Sequence, residues 1–241
     1  GSYGWILGGE GNDDIDATQA KSVARIYGGF GDDTIDGTNA SDKLYGGYGQ
    51  DRINAGDGDN AVDGNQGDDT IVSGSGNDVI NGGEGMDAIS AGAGYDTLQG
   101  GTGSDTFDAG AGNDVIYGGS ATSANTDPNE IDSVVLTGNA TDYTISRATD
   151  SLFGYVYYIK DNRLGSPDGL DTLYDIDQLK FADTSIAPPP DEKPVFIAPS
   201  LYLNYISTAF SADVPGISAG QLSAIVLNGG TLQANPASAL T

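Results

Sequence analysis

The sequence predicts an all-β chain: a parallel β-roll of 18-residue coils, then a small β-rich cap and a C-terminal tail. Three observations carry this. From Gly28 to Tyr117 the chain divides into ten consecutive nine-residue units without insertion. The eighth place of each unit is apolar, and the sixth is almost always Asp. The first six places are rich in Gly, which suits tight turns and is depleted in strand and helix interiors.

The units run GGFGDDTID, GTNASDKLY, GGYGQDRIN, AGDGDNAVD, GNQGDDTIV, SGSGNDVIN, GGEGMDAIS, AGAGYDTLQ, GGTGSDTFD and AGAGNDVIY. An eleventh, GGEGNDDID, covers Gly8 to Asp16, and a degenerate QAKSVARIY follows Ala17 and Thr18. The eighth place holds Ile15, Ile26, Ile35, Leu44, Ile53, Val62, Ile71, Ile80, Ile89, Leu98, Phe107 and Ile116, mostly between polar or small neighbours. That is strand alternation with one face buried. Each unit is therefore a turn plus a very short strand, and two units make one coil. Stacked coils form two parallel sheets around a shared core, and six coils at about 4.8 Å spacing give a roll about 25–30 Å long.

Of 241 residues 35 are acidic and 9 basic, with no Cys or His, for a net charge of −26. The acid is lopsided, 31 Asp to 4 Glu. Without Cys there is no disulfide, zinc–thiolate site or thiol nucleophile. Without His there is no Ser-His-Asp triad and no HExxH helix. Such a polyanion repels nucleic acid and anionic membranes, and no apolar run is long enough to span a bilayer. Its natural partners are cations. Tyr3 to Leu7 read as the end of a structural unit, so the chain is expected to be part of a longer protein.

The sixth place is where the acid concentrates: Asp13, Asp33, Asp42, Asp51, Asp69, Asp78, Asp87, Asp96, Asp105 and Asp114, with departures at Ala24 and Asn60. A hard dication takes six to eight oxygen ligands, and carbonyls of a tight glycine turn can supply those that side chains do not. Residues 1–120 carry 21 acids and 4 bases, a net of −17. About eight to ten Ca²⁺ ions between stacked turns would nearly cancel that charge. Gly, Asn and Asp also mark turns generally, but ten copies at fixed phase exceed what turn preference requires.

These units resemble the GGxGxDxUx nonapeptide of RTX proteins, a Ca²⁺-binding parallel β-helix repeat. The resemblance covers about half the chain. It implies that sixth-place carboxylates and loop carbonyls hold ions between turns 18 residues apart. It thereby gives roles to the second- and fourth-place glycines: Gly29, Gly31, Gly47, Gly49, Gly56, Gly58, Gly67, Gly74, Gly76, Gly83, Gly85, Gly92, Gly94, Gly101, Gly103, Gly110 and Gly112. The sites flanking Asn60, toward Asp42 and Asp78, are expected to be weakest. Ala40 in a fourth place weakens the Asp42 loop as well.

Residues 121–187 read as about four ordinary strands that cap the open last coil, since repeat arrays need a cap. Their wording resembles the segment that often follows RTX arrays. Asp168, Asp171, Asp175 and Asp177 could hold a further ion, but exposed loop acid is the preferred reading. A Pro-rich linker covers residues 188–200. In the tail, residues 201–241, the only charged side chain is Asp213, and its position resembles that of a type I secretion signal, with a docking segment as the alternative. Leu201, Leu203 and Ile206 suit a helix and Leu201, Leu203 and Tyr205 a strand.

Gly216-Ile217-Ser218-Ala219-Gly220 spells a nucleophile elbow in letters, yet no His exists to activate Ser218. Asn39-Ala40-Ser41 and Asn139-Ala140-Thr141 are sequons, relevant only to a eukaryotic secretory route. Tyr27 and Tyr45 share one outer face a coil apart, but no basic or aromatic stripe on the roll is expected, which argues against polysaccharide gripping. The resemblance implies a non-enzymatic module of a secreted bacterial surface-layer protein or adhesin, folded by extracellular calcium. The alternative is the folding and secretion module of an alginate epimerase, lipase, protease or toxin. Implied partners are calcium and the type I secretion machinery, with self-association or a cell-surface polysaccharide left open. The implied location is extracellular.

Overall fold

The computed structural model describes residues 5–120, 129–186, 225–228 and 231–234. The expected linker and tail lie outside the described residues, apart from an antiparallel hairpin of Ile225–Asn228 with Thr231–Ala234.

The described residues between 5 and 186 form a β-roll that is parallel through its coils and antiparallel at its C-terminal end. One sheet stacks the strands Ile6–Glu10, Arg25–Phe30, Lys43–Tyr48, Ala61–Gln66, Val79–Glu84, Thr97–Thr102 and Val115–Tyr117. The other stacks Asp14–Asp16, Thr34–Asp36, Arg52–Asn54, Thr70–Val72, Ala88–Ser90 and Thr106–Asp108. Within the main run every partner is 18 residues away, as in Ile26↔Leu44 and Ile35↔Ile53. The inward eighth-place residues line the core: Ile26, Ile35, Leu44, Ile53, Ile71, Leu98, Phe107 and Ile116 are fully buried.

Close stacking of the turns dictates their glycine. Gly47 has φ +124, and a Cβ there would stand 2.2 Å from the Gly29 carbonyl oxygen. Asn65 replaces Gly at the equivalent place and still adopts φ 77, a conformation Asn tolerates better than most residues.

The segment after the repeat does more than cover the last coil. Ser133–Val135 pairs in parallel on Thr106–Asp108, Leu170–Tyr174 on Val115–Tyr117, and Gln178–Lys180 on Ser133–Val135. Their Val134, Leu173 and Leu179 continue the buried apolar columns. Stacking stops where pairing turns antiparallel. Tyr143–Asp150 and Gly154–Asp161 form a hairpin against Leu170–Tyr174, and Ser185–Ile186 closes the second sheet. A buried polar knot holds this end. Arg163 pairs with Asp161 and Asp168 at 2.9 Å each, and Tyr143 Oη donates to Asp168.

Aromatic rings also gather on the outside, contrary to the expectation of no aromatic stripe. The 18-residue register stacks Phe30 on Tyr48, and Trp5 lies against Tyr45 two coils on. At the far end Tyr117 stacks on Tyr174 beside Phe153. No helix among the described residues is long and apolar enough to cross a membrane.

Candidate metal centre

The sixth-place side chains point inward from the turns along both edges of the roll, and from Asp33 onward one carboxylate oxygen of each Asp is spoken for. Oδ1 accepts the backbone N–H of the sixth-place residue one coil earlier. On one edge Asp33 donates to Asp51, Asp51 to Asp69, Asp69 to Asp87 and Asp87 to Asp105, each at 2.8 Å. On the other edge Asp78 donates to Asp96 and Asp96 to Asp114, again at 2.8 Å.

Oδ2 has no such partner. At Asp13, Asp33, Asp51, Asp69, Asp87, Asp96, Asp105 and Asp114 it is buried and accepts no hydrogen bond. Other acceptors surround it instead. A Cβ at Gly46 would stand 2.2 Å from Asp51 Oδ2 and 2.7 Å from the Gly64 carbonyl oxygen, so carboxylate and carbonyl oxygens converge on one spot. The same arrangement recurs at Gly28, Gly64, Gly82 and Gly100. A buried carboxylate oxygen among carbonyls, with no donor, is costly unless a cation compensates it.

Burial pushes the carboxyls of Asp33, Asp51, Asp69, Asp87, Asp96, Asp105 and Asp114 up, partly opposed by the amide that each one accepts and, at all but Asp114, helped by neighbouring like charges. Asp51, Asp87, Asp96 and Asp114 rise to about 6, Asp69 to about 7 and Asp105 to about 8. Among the described residues no three acidic side chains converge on one point. Any ion here must therefore take most of its ligands from backbone carbonyls, and Ca²⁺ accepts such a set.

The glycines prescribe the loop shape. Every second- and fourth-place glycine named above has a left-handed φ except Gly74 and Gly94. Three loops on one edge differ electrostatically too: the Asp42, Asn60 and Asp78 side chains are satisfied within the protein.

Sequence reasoning missed that the ladder continues past the repeat. Asp105 N–H donates to Asp132 Oδ1 at 2.9 Å, Asp114 N–H to Asp171 Oδ1 at 3.0 Å, and Asp132 N–H to Asp177 Oδ2 at 3.1 Å. The preferred reading of exposed loop acid is wrong for Asp168 and Asp171, which are 6% and 2% exposed. The signal was the spacing of a carboxylate two residues before an apolar one, in Asp132-Ser133-Val134, Asp171-Thr172-Leu173 and Asp177-Gln178-Leu179. A second ladder was also missed. Fifth-place side chains accept from the following coil, as in Gln50 N–H to Asp32 Oδ1 at 2.9 Å and Asn77 N–H to Asp59 Oδ1 at 2.8 Å.

Comparison with known proteins falls on these same turns. The RTX calcium-binding nonapeptide repeat matches in four copies, at residues 5–19, 27–62, 63–98 and 96–121. No curated protein matches the chain. Among solved structures, the AlgE6R3 subunit from the Azotobacter vinelandii mannuronan C5-epimerase is similar at 20% identity. That alignment covers 80% of this chain and 90% of the other, with a TM-score of 0.21. With the repeat match lying over the coils whose carboxylates are buried without donors, residues 5–121 are an array of RTX calcium-binding nonapeptide repeats.

Proposed function

We propose that this calcium-binding roll is a non-catalytic module of a larger type I secreted bacterial protein, disordered before export and folded by calcium outside the cell. The observation that carries the reading is the file of buried carboxylate oxygens lacking a donor. Without cations this file is a ladder of like charges in a poorly solvated place, which opposes folding. With calcium bound to Asp13, Asp33, Asp51, Asp69, Asp87, Asp96, Asp105, Asp114 and the carbonyls of their loops, binding free energy becomes folding free energy. Extracellular modules need affinities of only about 10⁻⁴–10⁻³ M, so a calcium-poor cytosol leaves the chain open for export.

In this reading residues 201–241 engage the secretion machinery. The roll then supports assembly or adhesion, through self-association or contact with a cell-surface polysaccharide. The outer-face aromatics, Trp5 with Tyr45 and Phe30 with Tyr48, support a contact role. Circular dichroism tests the folding claim. In chelator the chain is expected to be largely disordered, and millimolar calcium to produce β signal cooperatively. A roll that stays folded in chelator overturns it.

A further inference from the structure

Building on the calcium reading, we infer that the roll loads unevenly: the consecutive loops 37–42, 55–60 and 73–78 are closed by the protein's own hydrogen-bond donors and take no ion. The oxygen left bare elsewhere is covered in two of them. Asp42 Oδ2 accepts the Thr38 N–H at 2.6 Å while its Oδ1 accepts the Thr38 hydroxyl at 3.0 Å. Asp78 Oδ2 accepts the Ser73 hydroxyl at 2.6 Å.

The loop between them is closed the opposite way. Asn60 accepts the Asp42 N–H through Oδ1 at 2.9 Å, which turns its Nδ2 toward the glycine loop. There Nδ2 donates to the carbonyls of Gly56 at 3.1 Å and Gly58 at 2.9 Å. A carboxamide thus sits where its neighbours carry a carboxylate, and its protons occupy the carbonyl half of the ligand set.

A donor proton and a dication cannot serve the same oxygen. Admitting an ion would push buried N–H and O–H donors off the oxygens they now hold, and a buried donor that loses its acceptor is costly. Three unrelated substitutions reach this result. Thr38 stands in a second place, where a left-handed φ suits Gly and not a β-branched residue. Its backbone N–H and its hydroxyl both reach Asp42. Ser73 stands in a first place that is Gly or Ala in neighbouring loops, and it adds a hydroxyl within reach. Asn60 replaces the carboxylate itself.

The neighbours act as internal controls. Loops 91–96 and 109–114 lie on the same edge but begin with Ala91 and Ala109, which offer no hydroxyl, and Asp96 and Asp114 keep a bare Oδ2. On the opposite edge the bare oxygens run unbroken from Asp13 to Asp105. The middle coils thus carry cations along one edge and a hydrogen-bonded seam along the other.

Native mass spectrometry and calorimetric titration of the full chain with calcium chloride test this, with circular dichroism confirming the fold at saturation. The N60D/S73A double variant removes two of the closures and is expected to bind two ions more than the parent, and adding Thr38→Gly a third. A folded double variant that binds no more than the parent overturns the inference. So does equal loss of one ion in Asp42→Asn and Asp69→Asn, since only the second is expected to lose one. A parent chain that takes up no calcium overturns the calcium reading itself, and the uneven loading with it.

Discussion

Asp114 donates its backbone N–H to the carboxylate of Asp171, 57 residues away in sequence, across 3.0 Å. The same bond links each sixth-place residue to the next coil, so the non-repeat turn ending at Asp171 is joined to the roll by the roll's own rule. Gly169 supports the join: with φ +73 it stacks directly over the Gly112 carbonyl.

Replacing Asp171 with Ala should therefore loosen the C-terminal end of the roll rather than its middle. The Asp114 amide loses its acceptor in a buried place, at about 1–3 kcal/mol. Hydrogen exchange should accelerate at residues 109–117 and 166–174 while residues 43–54 keep their protection. Uniform acceleration would show that the join carries no local role.

Asp87→Ala should raise the calcium midpoint of folding severalfold, and Asp42→Ala much less. Asp87 Oδ2 is buried without a donor, whereas Asp42 Oδ2 already holds the Thr38 amide. Calcium titrations followed by circular dichroism compare the two, and equal midpoint shifts would contradict the ranking.

Protons should partly substitute for calcium. Burial raises the folded-state pKa of Asp51, Asp87, Asp96 and Asp114 to about 6, and of Asp105 to about 8. A carboxyl raised on folding stabilises the calcium-free roll at low pH and loses that effect as pH rises through its folded pKa. In chelator, residual β structure should therefore grow as pH falls from 8 toward 5. The calcium midpoint should rise over the same range, because protons compete for the same oxygens. A calcium-free chain with more structure at pH 8 than at pH 5 would reverse the sign.

Gly47→Ala should cost more stability than Gly165→Ala. Both glycines have a left-handed φ, +124 and +85, which costs a non-Gly residue on the order of 1–3 kcal/mol. Only at Gly47 would the new Cβ collide with the coil beneath, 2.2 Å from Gly29 O, whereas nothing lies within 4 Å at Gly165. Thermal melts at saturating calcium separate the two effects.

Arg163→Ala should destabilise the closing hairpin by about 3 kcal/mol, because it strips a partner from the buried Asp161 and Asp168. Loss of the hairpin's exchange protection at unchanged roll protection would confirm that this knot acts locally.

The coils were legible because period and chemistry coincide. Ile26 and Leu44 mark the core by alternation, and Asp33 and Asp51 mark the turns at a fixed phase. The continuation was not legible for a physical reason. Asp132 follows a long insertion and Asp171 a complete antiparallel hairpin, so the 18-residue spacing that announced the others was gone, although each kept its apolar residue two places on. The closures at Thr38 and Ser73 were hidden for a different reason. A hydroxyl in a glycine-rich turn looks like ordinary turn composition until its distance to a carboxylate is known. The aromatic pairs were hidden because Trp5 and Tyr45 meet only through stacking of coils.

The bond from each sixth-place amide to the carboxylate 18 residues later also sets the quantum in which this protein can change length. Removing 18 residues from the main run rejoins like with like: Asp33 would meet Asp69 in place of Asp51, and both edges would keep their own kind of loop. Removing nine would graft one edge onto the other, setting Thr38-type and Ser73-type turns above Gly-Gly turns and exchanging six-residue strands for three-residue ones. Lineages of this roll can grow or shrink by whole coils, and half a coil is a frameshift in three dimensions.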